Sequence, residues 1–171
     1  MPKFAVARLP AIAAVLGLAL ALGACAKNPA DSDALNGGYG AGGGGAGPGS
    51  YQEFASASVG DRVFFDTDQT DLSGRAEATL DKQAAWLNRY GRYSFTIEGH
   101  ADERGTRDYN FALGSRRAES VKNYLISKGV AAARMKTISY GKERPVATCD
   151  DISCWSQNRR AVTVLAGAPG S

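Results

Sequence analysis

Glycine dominates the stretch from residue 37 to residue 49, where it fills nine of thirteen positions. A segment this poor in apolar side chains cannot bury enough surface to offset the entropy that it loses on ordering. The same small and polar composition extends from Ala26 to about Ser58. The sequence therefore predicts a flexible tether over residues 25–58 and places the folded domain in residues 59–171.

The first 24 residues have the pattern of an export signal. Lys3 and Arg8 give a positively charged start, and an apolar run from Leu9 to Leu22 follows. Because this run is shorter than the roughly 20 apolar residues that span a bilayer, we predict a cleaved signal peptide over residues 1–24.

The apolar run ends in Leu22-Gly23-Ala24-Cys25. This sequence resembles the bacterial lipobox, whose cysteine becomes the lipidated N-terminus of the mature chain. An ordinary signal peptide with an incidental cysteine is the alternative. Ala26, rather than an aspartate, follows the cysteine, which in lipoproteins favours the outer membrane over the inner one. We therefore predict lipid anchoring of Cys25 in the outer membrane, with the domain facing the periplasm.

The net charge argues against nucleic acid as a partner. The formal charge of the whole chain is +3. Loss of residues 1–24 removes Lys3 and Arg8 and no acidic residue, so the mature chain carries about +1. The sequence also lacks a basic stripe with interleaved aromatic residues, the usual footprint of nucleic-acid binding.

Two cysteines remain when Cys25 is assigned to the lipid. Cys149 and Cys154 enclose a short polar segment, and an exported compartment permits disulfides. We predict that these two residues form a disulfide. Two free thiols or a metal-binding pair are the alternatives, but this spacing without a second Cys or His pair is a poor zinc signal. We predict no metal site and no cofactor.

Hydrophobic periodicity predicts the order of the secondary structure. Strands are predicted at residues 62–65, 94–98, 135–140 and 161–165. One helix is predicted to follow a capping Ser73 and end near Gly91, and a second to run from Tyr109 to Lys128 and end at Gly129. Residues 141–157 are predicted to be irregular. The order β-α-β-α-β-loop-β indicates an α/β (α+β) sandwich with the helices packed on one mixed sheet.

Charged side chains are concentrated between Gly99 and Glu119, around a turn that leads from a strand into the second helix. They are Asp102, Glu103, Arg104, Arg107, Asp108, Arg116, Arg117 and Glu119. If the helix face that carries Arg117 looks back at the turn, Asp102 and Arg117 present opposite charges to one cavity. Such a pair suits a ligand that carries an amine and a carboxylate on one carbon. The alternatives are that Asp102 and Arg117 pair with each other, or that these charges are solvated.

Catalysis is a competing class of function. His100 is the only histidine of the chain, and no serine lies in a G-x-S-x-G sequence. A glycosidase needs only two carboxylates, and five candidates are present. They are Asp66, Asp68, Asp71, Asp102 and Glu103. Because no nucleophile and base can be recognised together, we predict a protein that is not an enzyme, in which His100 makes a structural hydrogen bond.

Three segments carry a resemblance to a known family: GHADERGTRDYNFALGSRRAESVKNYL, SYGKERP and NRRAV. They resemble the OmpA C-terminal-like domain family over about residues 59–165. The resemblance implies an α/β sandwich that binds peptidoglycan without covalent chemistry. The implied ligand is the meso-diaminopimelate of the stem peptide, whose free end carries an amine and a carboxylate on one carbon.

The resemblance also implies which residues bind the ligand. The acid of GHADERG is Asp102, preceded by Ala101, and the arginine of the RRA sequence is Arg117. Arg104 and Leu113 match the DER and NFALG segments. In the first loop Asp68 matches the aspartate of a V-Y-F-x-F-D pattern, and Thr67 stands where that pattern has an aromatic residue. The resemblance therefore does not carry over the apolar wall that an aromatic residue would give the site at this position.

The family also implies partners. Its members bind TolB and other periplasmic Tol proteins and help to draw the outer membrane inward during division. The resemblance therefore implies a link between outer membrane and cell wall in the Tol–Pal system. The alternative functions are a Tol-binding module that does not bind the cell wall and a cell-wall hydrolase.

Overall fold

The structure of the chain is a computed structural model, and it describes residues 47–167. The predicted signal peptide, Cys25 and the first part of the predicted tether lie outside these residues. Helix α1 (Tyr51–Ala55) stands at the beginning of the described part. Its Phe54 is fully buried and packs on Trp86, with 4.9 Å between the ring centroids. The prediction of a tether up to residue 58 is therefore wrong for residues 51–55, because this aromatic contact attaches them to the domain.

Four strands form one mixed sheet. They are β1 (Arg62–Phe64), β2 (Phe95–His100), β3 (Met135–Gly141) and β4 (Arg160–Leu165). Their order across the sheet is β1-β4-β2-β3. β2 runs parallel to β3, and β4 runs antiparallel to both β1 and β2. The predicted fold class, with helices on a mixed sheet, is confirmed.

Two long helices cover one face of the sheet. They are α2 (Gly74–Arg89) and α3 (Arg107–Ser127). Ser73 caps α2 as predicted, and its hydroxyl accepts a hydrogen bond from the Ala76 N–H at 3.3 Å. Thr106 caps α3 in the same way through the Tyr109 N–H. Both caps satisfy an N–H group that has no partner inside its helix.

The segment from 141 to 157 is not wholly irregular as predicted. It contains part of a short helix, α4 (Ile152–Asn158), which Asp151 caps by accepting a hydrogen bond from the Ser153 N–H at 2.7 Å. A helix of two turns is too short to show a clear apolar period, which is why the sequence pattern misses it. A 3₁₀ turn (Ala132–Arg134) also precedes β3.

The hydrophobic core lies between the sheet and helices α2 and α3. Leu80 and Leu87 from α2 meet Leu125 from α3 and Ile97 from β2, and all four side chains are fully buried. Since burial of such a side chain stabilises a fold by about 1.5–3 kcal/mol, this cluster fixes the position of both helices on the sheet.

A contact between glycines brings α3 unusually close to the sheet. A Cβ atom built on Gly99 of β2 would lie 1.8 Å from the Gly114 carbonyl oxygen of α3. A Cβ atom on Gly114 would lie 2.4 Å from the Ser139 Oγ of β3. Only residues without a side chain permit this approach. This close approach of α3 to the sheet fixes the position of the turn between β2 and α3.

Candidate ligand-binding site

The turn between β2 and α3 is held at both ends. The Ala101 N–H donates to the Gly141 carbonyl at 2.8 Å, which continues the pairing of β2 with β3. Gly105 has a φ of +83°, a left-handed conformation that glycine adopts readily. The Asn110 amide donates to the Arg104 carbonyl at 2.6 Å. The backbone of the charged turn is therefore fixed, and its side chains project from a rigid frame.

Asp102 is the buried carboxylate of this turn, with 7% of its surface exposed. Arg104 donates to it from Nε at 3.1 Å and from Nη2 at 2.7 Å. Arg159, which follows α4, donates from Nη1 at 3.2 Å. Burial raises the pKa of Asp102, but the hydrogen bonds from the two arginines outweigh burial and bring the pKa below its ordinary value. The carboxylate is therefore ionised at neutral pH.

Arg117 lies beneath the turn and is fully buried. Its guanidinium donates to three carbonyl oxygens, those of Gln69 at 2.9 Å, His100 at 2.8 Å and Asp66 at 3.1 Å. Burial, followed by the charge of Arg159, lowers the pKa of Arg117 to about 10. The group therefore stays cationic at neutral pH and ties the loop after β1 to the end of β2.

The two alternatives that the sequence left for Asp102 and Arg117 are both replaced by a third arrangement. Among the described residues, the arginine partners of Asp102 are Arg104 and Arg159 rather than Arg117. Asp102 and Arg117 are also not solvated, since both are buried. Several of these charges have partners outside the stretch, which the spacing of residues within it cannot predict.

The loop after β1 brings Asp68 to the same region. Asp68 is the only residue other than glycine with a positive φ among residues 47–167, at 56°. Its Oδ1 accepts a hydrogen bond from the Tyr109 hydroxyl at 3.3 Å. Thr67 is exposed beside it. The other two predicted site residues, Leu113 and Ala101, are buried at 3% and 4% and support the turn rather than line a surface.

Helix α4 supplies contacts that the sequence analysis misses. The Trp155 ring lies under the Arg104 guanidinium, with 4.1 Å from Cζ to the ring centroid. Its Nε1 donates to the Glu103 carboxylate. Arg159 reaches Asp102 and also donates to the Phe65 carbonyl at 3.1 Å. In the sequence, Arg159 is marked by the NRRAV segment, which does not indicate what the side chain contacts.

Cys149 and Cys154 are joined in a disulfide, with Cα atoms 5.6 Å apart. The bond closes the loop that leads into α4. Next to it, the Asn158 side chain accepts from the Val146 N–H and donates to the Ala147 carbonyl. These contacts hold α4 against the loop that precedes it.

His100 differs from its expected role. Its side chain is 2% exposed, and neither ring nitrogen has a hydrogen-bond partner among the described residues. The Glu98 carboxylate lies 3.8 Å from Nε2. Burial, then the charges of Arg160, Arg144 and Arg62, lowers the pKa of His100 to about 3. The ring is therefore neutral and stacks on Tyr140, at 5.6 Å between centroids. The backbone carbonyl of His100 accepts the hydrogen bond from Arg117.

Within residues 47–167, no cluster of three or more histidine, cysteine or acidic side chains is arranged to hold a metal ion. No helix in the same range is long and apolar enough to cross a membrane.

Comparison with known proteins identifies the family. The chain matches the OmpA family over residues 64–159. The peptidoglycan-associated lipoprotein of Rhizobium meliloti (strain 1021) is 62% identical over 164 residues, covering 95% of this chain and 91% of that protein. The chain belongs to the OmpA family, among the peptidoglycan-associated lipoproteins. A relative of the same name from Agrobacterium fabrum is 60% identical over 169 residues, covering 98% of this chain and 93% of its own length.

Solved structures of other proteins show the same fold. The peptidoglycan-associated lipoprotein from Burkholderia pseudomallei superimposes with a TM-score of 0.60 at 42% identity, over 61% of this chain and 89% of that one. The C-terminal domain of Helicobacter pylori MotB superimposes with a TM-score of 0.58 at 20% identity, over 62% and 84%. At that identity the second likeness shows the fold alone. All site residues from Thr67 to Arg159 fall within the part of the chain that matches the family.

Proposed function

We propose that this protein is an outer-membrane lipoprotein that binds peptidoglycan non-covalently and has no enzymatic activity. The ligand is the free end of meso-diaminopimelate in the stem peptide, where an ammonium and a carboxylate share one carbon. The observation that carries this proposal is the ionised carboxylate of Asp102, fixed in a rigid turn beside cationic arginines. The names of the similar relatives, peptidoglycan-associated lipoproteins, support peptidoglycan as the partner.

Asp102 receives the ammonium group of the ligand. Its carboxylate is ionised at neutral pH because two arginines hold its pKa below the ordinary value, although burial acts in the opposite direction. A fixed carboxylate makes short, charge-assisted hydrogen bonds to an ammonium group. Since the backbone of the turn is held at Ala101 and Arg104, the ligand meets an acceptor whose position is already set.

The positively charged arginines attract the carboxylate of the ligand. Arg104 has 41% of its side chain exposed and offers a guanidinium at the surface. Arg117 is fully buried below and remains cationic, with a pKa of about 10. Arg104 therefore contacts the ligand, while Arg117 adds a positive potential from beneath and holds the loop that carries Thr67 and Asp68.

The remaining residues shape the site. Asp68 and Tyr109, which are hydrogen-bonded to each other, form its rim on the side of the loop after β1. Thr67 gives that rim a small polar side chain, while the buried Leu113 and Ala101 support the turn from within.

An enzymatic role for Asp102 conflicts with its surroundings. A general acid needs a raised pKa near the working pH, whereas the arginine hydrogen bonds move the pKa of Asp102 in the other direction. The carboxylate is suited to holding a cation rather than to delivering a proton.

Lipid on Cys25 anchors the chain in the outer membrane, and the glycine-rich residues that follow give the domain reach to the wall. As part of a Tol–Pal system, the protein also binds TolB and other Tol proteins and contributes to envelope integrity and cell division. This part of the proposal is supported by family membership alone.

Pelleting with purified peptidoglycan tests the ligand. Two kinds of peptidoglycan are compared, one with meso-diaminopimelate and one with lysine, which differs by the absence of one carboxylate. We expect binding to the first and clearly weaker binding to the second. Asp102→Asn removes the charge at constant size and should weaken binding by about ten- to a hundred-fold, the effect of one charge-assisted hydrogen bond.

Asp81→Asn is the matched control. Asp81 is also an ion-paired carboxylate, 2.7 Å from the Lys128 ammonium, but it lies near the opposite end of α3. This variant should bind like the wild type. Equal binding of both kinds of peptidoglycan, or unchanged binding by Asp102→Asn, would overturn the proposed ligand. Release of soluble wall fragments would overturn the absence of enzymatic activity.

A further inference from the structure

The carboxylate that should receive the ligand is already fully occupied by the protein itself. Oδ1 of Asp102 accepts from the Arg104 N–H at 3.2 Å and from Arg104 Nε at 3.1 Å. Oδ2 accepts from Arg104 Nη2 at 2.7 Å and from Arg159 Nη1 at 3.2 Å. An ionised carboxylate offers about four acceptor positions, so an ammonium group can bind only if one of these donors leaves.

Arg104 is the donor that can leave. Its side chain is 41% exposed, whereas that of Arg159 is 6% exposed. Arg159 is also fixed by its hydrogen bond to the Phe65 carbonyl at 3.1 Å. The Arg104 backbone is held by Asp102 and Asn110. Displacement of Arg104 therefore needs only rotation of an exposed side chain, and no refolding of the turn.

Trp155 keeps the displaced guanidinium at the site. The Arg104 Cζ lies 4.1 Å from the centroid of the Trp155 ring, which is the geometry of a cation–π contact. The ring itself is fixed because its Nε1 donates to the Glu103 carboxylate. When Arg104 loses Asp102, this stacking remains, and the guanidinium stays within reach of whatever occupies the carboxylate.

We infer that Arg104 and Trp155 make the site selective for zwitterions by an exchange of ion pairs. This inference rests on the proposed function of the same site. The ligand ammonium replaces Arg104 at Asp102, and the ligand carboxylate replaces Asp102 at Arg104, which stays stacked on Trp155. The ion pair between Asp102 and Arg104 is thus replaced by two ion pairs with the ligand, and no charge is left without a partner.

A simple amine does not gain in this way. It would displace Arg104 from Asp102 and leave the guanidinium without a carboxylate, so that one ion pair only replaces another. A simple carboxylate has the converse defect, since it would take Arg104 and leave Asp102 with Arg159 alone. Arg104 offers the exposed guanidinium for this exchange, whereas Arg117 is fully buried and already donates to three carbonyl oxygens.

Three probes separate these cases on the full chain in detergent: meso-diaminopimelate, 1,5-diaminopentane and heptanedioate. Meso-diaminopimelate carries amines and carboxylates. 1,5-Diaminopentane is the same molecule without its carboxylates, and heptanedioate is the same molecule without its amines. Calorimetric titration of the wild type should show at least ten-fold tighter binding of meso-diaminopimelate than of either other probe.

Arg104→Ala is the decisive variant. It leaves Asp102 free of its exposed partner, so 1,5-diaminopentane should bind more tightly than to the wild type, while meso-diaminopimelate binds more weakly. The ratio of the two affinities should fall by at least ten-fold. Arg107→Ala is the control, since Arg107 lies nearby but pairs with Glu143 at 3.3 Å, and it should leave the ratio unchanged.

Trp155 acts through Arg104 as a positioning residue. Trp155→Leu should weaken binding of meso-diaminopimelate and leave 1,5-diaminopentane unchanged, and Trp155→Phe, which keeps an aromatic face, should restore most of the affinity. Parallel loss of affinity for both probes in Trp155→Leu would indicate a merely structural role and overturn the assignment of Trp155.

The outcomes also separate this inference from the proposed function. If the wild type binds meso-diaminopimelate but Arg104→Ala does not gain affinity for 1,5-diaminopentane, the exchange is overturned and the proposed ligand stands. If the wild type binds neither meso-diaminopimelate nor peptidoglycan, the proposed function fails and the exchange fails with it.

Discussion

The guanidinium of Arg117 donates to the carbonyl oxygen of His100 at 2.8 Å, across 17 positions of the chain and in a fully buried environment. Two further bonds, to the carbonyls of Gln69 and Asp66, join the loop after β1 to the same group. One buried cation thus holds together the two loops from which the candidate site is built.

Arg117→Ala should therefore lower the free energy of unfolding as well as ligand affinity. It removes a donor from three carbonyl groups, of which that of His100 lies in a buried hydrogen bond and the other two in partly buried ones. A buried group left without a donor costs about 1–3 kcal/mol, so a loss of at least about 1 kcal/mol is expected in urea denaturation. Arg117→Lys keeps the charge but cannot span three acceptors, and its loss should be intermediate. Wild-type stability of Arg117→Ala would show that these contacts contribute nothing.

Gly99→Ala should separate α3 from the sheet. The added Cβ would stand 1.8 Å from the Gly114 carbonyl oxygen, which is backbone and cannot rotate away. Overpacking of this kind costs about 1–3 kcal/mol or more, and thermal denaturation should show a lower midpoint. Gly74→Ala is the control, because nothing lies within 4 Å of its added Cβ. Equal midpoints for the two variants would contradict the close approach of α3.

His100 should make the fold less stable as the pH falls. Its pKa is about 3 in the folded chain, against an ordinary value of 6.5. Between these values the unfolded chain binds more protons, so the free energy of unfolding decreases on acidification, by up to about 1.4 kcal/mol per pH unit. Urea denaturation at pH 7, 6 and 5 should show a steeper loss for the wild type than for His100→Phe, which cannot be protonated. The same slope in both proteins would mean that His100 is not held neutral.

Loss of the disulfide should affect α4 before the rest of the fold. Cys149→Ser with Cys154→Ser opens a short loop, for which chain entropy predicts a loss of about 2 kcal/mol. Hydrogen exchange should accelerate in α4 more than in α2, and affinity for peptidoglycan should fall because α4 carries Trp155 and positions Arg159, which follows it. In the wild type, both cysteines should resist alkylation until they are reduced. Ready alkylation of the native chain would exclude the disulfide.

Cys25→Ser tests the anchor. Without the lipid, the chain should be released from membranes by a mild wash, since attachment depends on the acyl chains. Fractionation of washed membranes measures this directly. A variant that stays with the membrane fraction would have a second means of attachment.

The limits of sequence reasoning are visible at particular residues. The capping Ser73 and the apolar stripe of α2 are local signals, and the structure confirms both. The small and polar neighbours of Phe54 predict a tether, but an aromatic contact with Trp86 brings Phe54 into the core. Helix α4 has no periodic pattern that predicts it, because its two turns are held by a cap and a disulfide.

The sequence by itself determined the mixed α/β fold and the charged turn between β2 and α3, because periodicity, capping residues and segment order are written along the chain. Only the tertiary structure decided which charges meet. Arg159 reaches Asp102 across 57 positions, and Arg117 turns away from that carboxylate to three carbonyl groups. Partners of this kind depend on how strands and helices pack in space, since burial and distance, rather than spacing in the sequence, decide which opposite charges pair.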